Sequence, residues 1–80
     1  MRTTRVFELA NRLAAVTGTR ARIRQRPGGG YLVEADLPAA LAGEEHRRVL
    51  DVLAAADRYG HRFSTTAQRV WAEIDEESAP

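Results

Sequence analysis

The stretch Thr19–Asp36, TRARIRQRPGGGYLVEAD, decides how this 80-residue chain folds. Apolar and charged residues alternate on both sides of its glycine-rich centre, which is the period of a β-strand with one buried face. One side carries arginine at every second position: Arg20, Arg22, Arg24 and Arg26. The pattern predicts a β-hairpin with the five-residue tip RPGGG and an arginine-rich outer face.

The apolar residues of this hairpin allow one register, because a slip of one residue would turn them from the core to water. The pairs expected on the core face are Ala21 with Ala35, Ile23 with Val33 and Gln25 with Tyr31. Those expected on the outer face are Arg20 with Asp36, Arg22 with Glu34 and Arg24 with Leu32. An ion pair directly across a ladder contributes roughly 0.2–1 kcal/mol. Two arginines are thereby compensated, and Arg24 and Arg26 are expected to lack a carboxylate.

Helical periodicity precedes and follows the hairpin. The first helix is expected to begin after Thr3 or Thr4 and to end at Gly18. Its apolar stripe consists of Val6, Leu9, Ala10, Leu13 and Val16. The second helix is expected to begin near Glu44 and to end at Gly60. Its buried stripe would be Val49, Leu50, Val52, Leu53 and Ala56.

The segments HRFSTT (61–66) and RVWAEID (69–75) have strand character and predict a second hairpin. Its expected pairs are Phe63 with Ala72, Thr65 with Val70, Arg62 with Glu73 and Ser64 with Trp71. The order is then αββαββ, which indicates an internal repeat that aligns Leu13 with Leu53 and Arg22 with Arg62. In the alternative order, αββαβ, residues 60–75 form one long bent strand and the repeat disappears.

These elements predict an α+β two-layer sandwich, with two helices on one face of an antiparallel sheet of three or four strands. Residues 1–75 would form one domain, and residues 76–80 a flexible acidic tail. A chain of this length hides only about 60% of the surface that it exposes when unfolded. A second protomer would therefore add useful buried area.

Composition narrows the classes of function. The chain has no cysteine, and its two histidines, His46 and His61, are not at ligand spacing, so neither a metal site nor a cofactor is expected. No nucleophile, base and orienting group stand at a recognisable spacing, so the chain is not expected to be an enzyme, and no small-molecule substrate is evident. All twelve basic residues are arginine, which is typical of GC-rich codon usage, and the net charge is only +1. No apolar run approaches the roughly 18 residues of a membrane span, so a cytoplasmic protein without a membrane partner is expected.

Leu32 and Trp71 are both predicted on the outer face, where large apolar groups need cover. They could pack against each other, stack on a nucleobase, or be buried against another protein. The last reading predicts a non-enzymatic protein-interaction module, a homodimer or an adaptor. It would bind its partner through the outer face, at Leu32, Trp71, Arg24 and Arg26, or through an unpaired edge strand. The alternative is a nucleic-acid-binding protein that uses the Arg20–Arg26 strand together with Arg5 and Arg12 of the first helix.

Overall fold

A computed structural model of the chain describes residues 2–38, 43–63 and 67–75. The elements are α1 (Arg2–Thr17), β1 (Ala21–Gln25), β2 (Tyr31–Leu37), α2 (Gly43–Leu53), β3 (Arg58–Phe63) and β4 (Gln68–Ile74). The predicted α+β class and the order αββαββ are confirmed, and the single bent strand of the alternative order is wrong. The four strands form one antiparallel sheet in the order β1-β2-β4-β3, so the second strands of the two hairpins meet at its centre.

The first hairpin has the predicted register in all five of its ladder pairs, from Ala21 opposite Ala35 to Gln25 opposite Tyr31. Its tip closes with a hydrogen bond from the Arg26 N–H to the Gly30 carbonyl, 2.9 Å long. Gly29 and Gly30 have φ angles of 103° and 80°, a region that side chains disfavour. Gly29 and Gly30 are therefore a requirement of the turn itself.

The end of α1 is tied to the end of β2. Gly18 stops the helix with a φ of 71°, as predicted, and it donates its N–H to the Ala14 carbonyl. The buried Thr17 hydroxyl donates to the Leu13 carbonyl at 2.8 Å and lies 3.0 Å from the Thr19 hydroxyl. Thr19 in turn donates to the Asp36 carbonyl at 2.6 Å. This chain of hydroxyls fixes the position of the first hairpin relative to the helix.

The second helix and the strand after it differ from the prediction. α2 ends at Leu53 instead of Gly60, because the chain leaves the helix through two tight turns, with Ala55 bonded to Val52 and Ala56 to Leu53. Leu50, predicted to be buried, is 41% exposed. The buried stripe of α2 is narrower than expected, because Val49, Val52 and Leu53 already fill the contact of the helix with the core.

The predicted register of the second hairpin is wrong by four residues. Arg58, not Arg62, lies opposite Glu73, and Gly60 lies opposite Trp71. The reason is the Trp71 ring, which covers the backbone of Gly60: a Cβ atom at position 60 would approach its Cε2 within 2.6 Å. Glycine at this position therefore admits the indole and does not end a helix. Ser64 and Thr65, which the prediction placed opposite Trp71 and Val70, lie outside the described residues.

The Arg–Glu ladder pair does recur in the two αββ units, but as Arg22 with Glu34 and Arg58 with Glu73. The alignment of Arg22 with Arg62 is therefore wrong. The helices correspond differently too, since Leu13 and Val49 each stand four residues before the end of their helix and are fully buried. The alignment of Leu13 with Leu53 is likewise wrong.

One hydrophobic core joins both helices to one face of the sheet. Its buried residues are Val6, Leu9, Ala10, Leu13, Val33, Ala35, Leu37, Val49, Val52, Leu53, Val70, Ala72 and Ile74. They come from α1, α2, β2 and β4, while Ala21 and Ile23 of β1 pack against them. No described side chain of β3 belongs to this core. Neither helix, within the part of the chain that the structure describes, is long and apolar enough to cross a membrane.

Candidate interaction surface

The face of the sheet that points away from the core is called the outer face here. By the observed registers its residues are Arg22, Arg24, Leu32, Glu34, Asp36, Arg58, Gly60, Arg62, Arg69, Trp71 and Glu73. The carboxylates lie on the two central strands, and four of the five arginines lie on the two edge strands. Both helices contribute their buried residues to the core on the opposite side, so the outer face consists of strand side chains alone among the described residues.

The arginines of the first hairpin are compensated differently from the prediction. Arg22 contacts Asp36 at 3.6 Å instead of Glu34. Arg24, predicted to lack a carboxylate, lies 3.3 Å from Glu34. Arginine side chains are long enough to reach the diagonal neighbour on the next strand. Arg22 and Arg24 each contact the carboxylate at this diagonal position.

Arg26 was also predicted to lack a carboxylate, and it too is paired. Its Nη1 atom lies 3.0 Å from Glu73 and 3.7 Å from Asp75. Glu73 lies near the end of β4, and Asp75 directly follows that strand. They come within reach of Arg26 because β4 pairs with β2. Arg20 precedes β1 and has no carboxylate within reach in the described part of the chain, so its expected pair with Asp36 is wrong.

β4 supplies an arginine that the sequence did not single out. The Arg69 Nε atom donates to Asp36 at 2.9 Å, and its Nη1 atom lies 3.8 Å from Glu34. The hydrogen bond from Arg69, aided by the charges of Arg69 and Arg22, holds the pKa of Asp36 below its usual value. Arg69 thus compensates the acids of β2 from the side opposite β1.

A second group of charges fixes the start of β3. Arg58 donates from both terminal nitrogens to Asp75, which raises the pKa of the guanidinium. Asp57 accepts the backbone N–H of Asp75 at 2.7 Å and a hydrogen bond from Arg5. The backbone N–H, followed by Arg5, lowers the pKa of the Asp57 carboxyl. Arg5 also donates to the Ala55 carbonyl at 3.0 Å, so this helix arginine holds the turn that leads into β3.

The lowered pKa of Asp57 predicts a pH dependence of stability. A carboxyl whose folded pKa lies below its unfolded value stabilises the fold above the unfolded pKa, and this contribution is lost as pH falls through the folded pKa. The free energy of unfolding is therefore expected to drop between about pH 5 and pH 2. Asp57→Asn should flatten that drop in urea titrations at a series of pH values. Asp51→Asn, an exposed position on α2, is the control and should keep the wild-type slope; identical slopes for both variants would contradict the prediction.

The structure brings the four predicted binding residues together. Arg24, Arg26, Leu32 and Trp71 surround one depression on the outer face, with a volume of about 370 Å³. Glu34, Glu73 and Arg62 complete its wall. Leu32 and Trp71 are half-buried and lie on adjacent strands, so their apolar surfaces form a floor within a ring of charges.

Two members of this wall are set apart by their electrostatics. The Glu34 side chain is only 12% exposed, and its Oε1 atom, although 3.3 Å from Arg24, accepts no hydrogen bond in the described part of the chain. Arg62 faces Arg69 across the ladder and has no carboxylate within salt-bridge distance among the described residues. It is an exposed cation at the rim of the depression, and the sequence prediction had assigned it to Glu73.

β3 itself is the most exposed strand of the sheet. Tyr59, on the side that faces the helices, is 47% exposed, and Arg58, His61 and Arg62 are exposed as well. The His61 ring lies 6.1 Å from the ring of His46 on α2, at an angle of 55°. His61 begins a strand in the sequence prediction, but it lies inside β3. Across residues 2–38, 43–63 and 67–75, no group of three or more histidines and acids is arranged to hold a metal ion.

The exposure of β3 could not be read from the sequence, because RYGHRF has the same mixture of apolar and charged residues as the strands that are half-buried. The one signal in the sequence was Gly60. A glycine inside a strand is typical of a place where another group approaches the backbone closely, and here that group is the Trp71 ring. Comparison with protein-family models, curated proteins and solved structures finds no match to this chain.

Proposed function

We propose that the chain is a small non-enzymatic protein-interaction module, a homodimer or an adaptor, which binds its protein partner through the outer face. The observation that carries this proposal is the depression lined by Leu32, Trp71, Arg24 and Arg26. An apolar floor with tryptophan and arginine at its margin is the composition of an interface centre. The charged side chains around the depression can form ion pairs with a partner whose surface carries the complementary charges.

The balance of charge favours a protein over a nucleic acid as the partner. Arg22, Arg24 and Arg69 each contact a carboxylate on β2, and Arg26 and Arg58 contact those at the end of β4. Binding to phosphates depends on cations that release the counterions of the nucleic acid, and a cation that already holds a carboxylate gains little from it. Arg5, part of the alternative reading, is likewise engaged with Asp57.

Site-specific photo-crosslinking tests the proposal. A photoreactive phenylalanine analogue at position 24, whose side chain is 70% exposed at the rim of the depression, reports what occupies the outer face. The same analogue at Arg47, exposed on α2, is the matched control. We expect protein adducts from position 24 and none from position 47 after irradiation in the producing cell.

The nature of the adduct decides between the two functions. Adducts with a second copy or with another protein support the interaction module. Nucleic acid attached at position 24 supports the alternative instead. Equal yields from positions 24 and 47, or no adduct from either, would contradict binding at the outer face.

A further inference from the structure

The charges of the outer face and its rim do not balance. Six arginines of the described chain lie there: Arg22, Arg24, Arg26, Arg58, Arg62 and Arg69. The carboxylates that lie among them are Glu34, Asp36, Glu73 and Asp75. Each of these carboxylates already contacts two of the arginines. The described part of this face therefore has an excess of cations and no carboxylate to spare.

Arg62 is the arginine that this sharing leaves out. It is exposed on β3, and no carboxylate of the described chain lies within salt-bridge distance of it. Its neighbour across the ladder is Arg69, a second cation, which is bound to Asp36. Like charges opposite each other are destabilising, and a carboxylate added beside them relieves the repulsion. Arg62 is therefore the side chain of this face that is best placed to take a carboxylate from a partner.

Arg24 also keeps hydrogen-bond donors for a partner. Its side chain is 70% exposed, and its contact with Glu34 Oε1 at 3.3 Å is not a hydrogen bond. A guanidinium presents several N–H donors in a planar fork that matches a carboxylate. Arg24 on β1 and Arg62 on β3 thus offer donors at the two sides of the depression, and Leu32 and Trp71 lie between them on β2 and β4.

Resting on the proposed interaction function, we propose that the protein partner presents an acidic segment in which an apolar residue stands between two carboxylates. The apolar side chain covers Leu32 and Trp71, and the carboxylates bind Arg24 and Arg62. The two edge strands lie about 14 Å apart, which is three strand spacings, and an extended peptide covers this distance in about four residues. The carboxylates are therefore expected at positions i and i+4 of the segment and the apolar residue at i+2, since alternate residues of an extended chain share a face.

The acids in the wall of the depression favour such a segment over a phosphate backbone. Glu34 and Glu73 lie in the wall beside the apolar floor. A nucleic-acid strand carries a continuous row of negative charges, some of which would pass close to these two carboxylates. A segment with two separate carboxylates places them at Arg24 and Arg62 and sets an uncharged side chain between.

Fluorescence titration with synthetic peptides tests this inference on the full chain. Trp71 is the only tryptophan and forms part of the floor, so its emission reports what occupies the depression. The probe is a pentapeptide, blocked at both ends, with glutamate at its first and fifth positions, leucine at the third and alanine between. The comparison peptide has lysine in place of both glutamates. We expect a saturable shift with the glutamate peptide at millimolar concentrations or below, and none with the lysine peptide.

Substitutions of the arginines test which side chains bind the carboxylates. Arg62→Gln and Arg24→Gln are each expected to weaken binding of the glutamate peptide about fivefold, the effect of losing one well-oriented ion pair. Arg20→Gln is the matched control, because Arg20 is exposed and also lacks a carboxylate in the described chain but lies outside the depression. It should bind the peptide as the wild type does. Added salt should weaken binding to the wild type more than to Arg62→Gln.

Circular dichroism of each variant establishes that it is folded before affinities are compared. Equal shifts with the two peptides, no shift with either, or unchanged binding by Arg62→Gln would overturn the acidic segment. The crosslinking variant at position 24 keeps Arg62 and the apolar floor, so it tests the function separately. If that variant still gives protein adducts in the cell, the interaction function stands and only the inference about the chemistry of the partner fails.

Discussion

Gly60→Val is expected to lower the free energy of unfolding by about 1–3 kcal/mol, the usual cost of inserting atoms into a packed site. Valine is among the best residues for a strand, so its intrinsic preference alone would predict the opposite sign. The cost arises because the new Cβ would approach Trp71 Cε2 within 2.6 Å and Nε1 within 2.9 Å. The indole would have to leave the strand that it covers. Urea unfolding of the two chains, followed by circular dichroism, measures the difference.

A double-mutant cycle isolates the cause of this loss. In a Trp71→Ala background the ring is gone, and Gly60→Val should then be neutral or stabilising. Gly28→Ala is the control for a glycine with open space, since no atom lies within 4 Å of a Cβ built there. It should change stability by no more than about 1 kcal/mol, and in the stabilising direction. The same destabilisation by valine with and without Trp71 would contradict the account of this glycine.

Leu13→Ala is expected to cost about 2–5 kcal/mol, the range for leucine truncation in a packed core. Leu13 is fully buried on α1, in the cluster that joins both helices to the sheet. At roughly 0.05–0.15 kcal/mol per residue, a chain of this size has only about 4–12 kcal/mol of stability in total. The variant should therefore lose a large part of its resistance to urea at 25 °C.

Leu50→Ala is the matched control for this truncation. The same atoms are removed from a helix, but from a side chain that is 41% exposed. The loss should be less than half that of Leu13→Ala, because the removed methyl groups leave no closed cavity. Equal losses at the two positions would contradict the difference in burial between Leu13 and Leu50.

The first hairpin could be predicted from the sequence because two independent signals agree in it. Its alternation leaves one register that turns Ile23 and Val33 toward the core, and Gly29 and Gly30 supply the positive φ angles of the tip. The second hairpin has no such agreement. The stretch between Leu53 and His61 is rich in alanine, which continues a helix as readily as it ends one. The decision lies in a tertiary contact, the Trp71 ring over Gly60, that no local pattern contains.

The same limit applies to the binding residues. Strand alternation is enough to place Leu32 and Trp71 on the outer face, and the depression they share with Arg24 and Arg26 follows from that placement. The pairing of the arginines required the strand order. Because β2 lies beside β4, Arg69, Glu73 and Asp75 come within reach of the first hairpin, and their charges redistribute its ion pairs.

Binding of a protein at the outer face is the claim on which the proposed function turns, and photo-crosslinking from position 24 tests it most directly. Protein adducts from position 24 and none from position 47 are the expected result. Equal yields from the two positions, or no adduct from either, would contradict the claim.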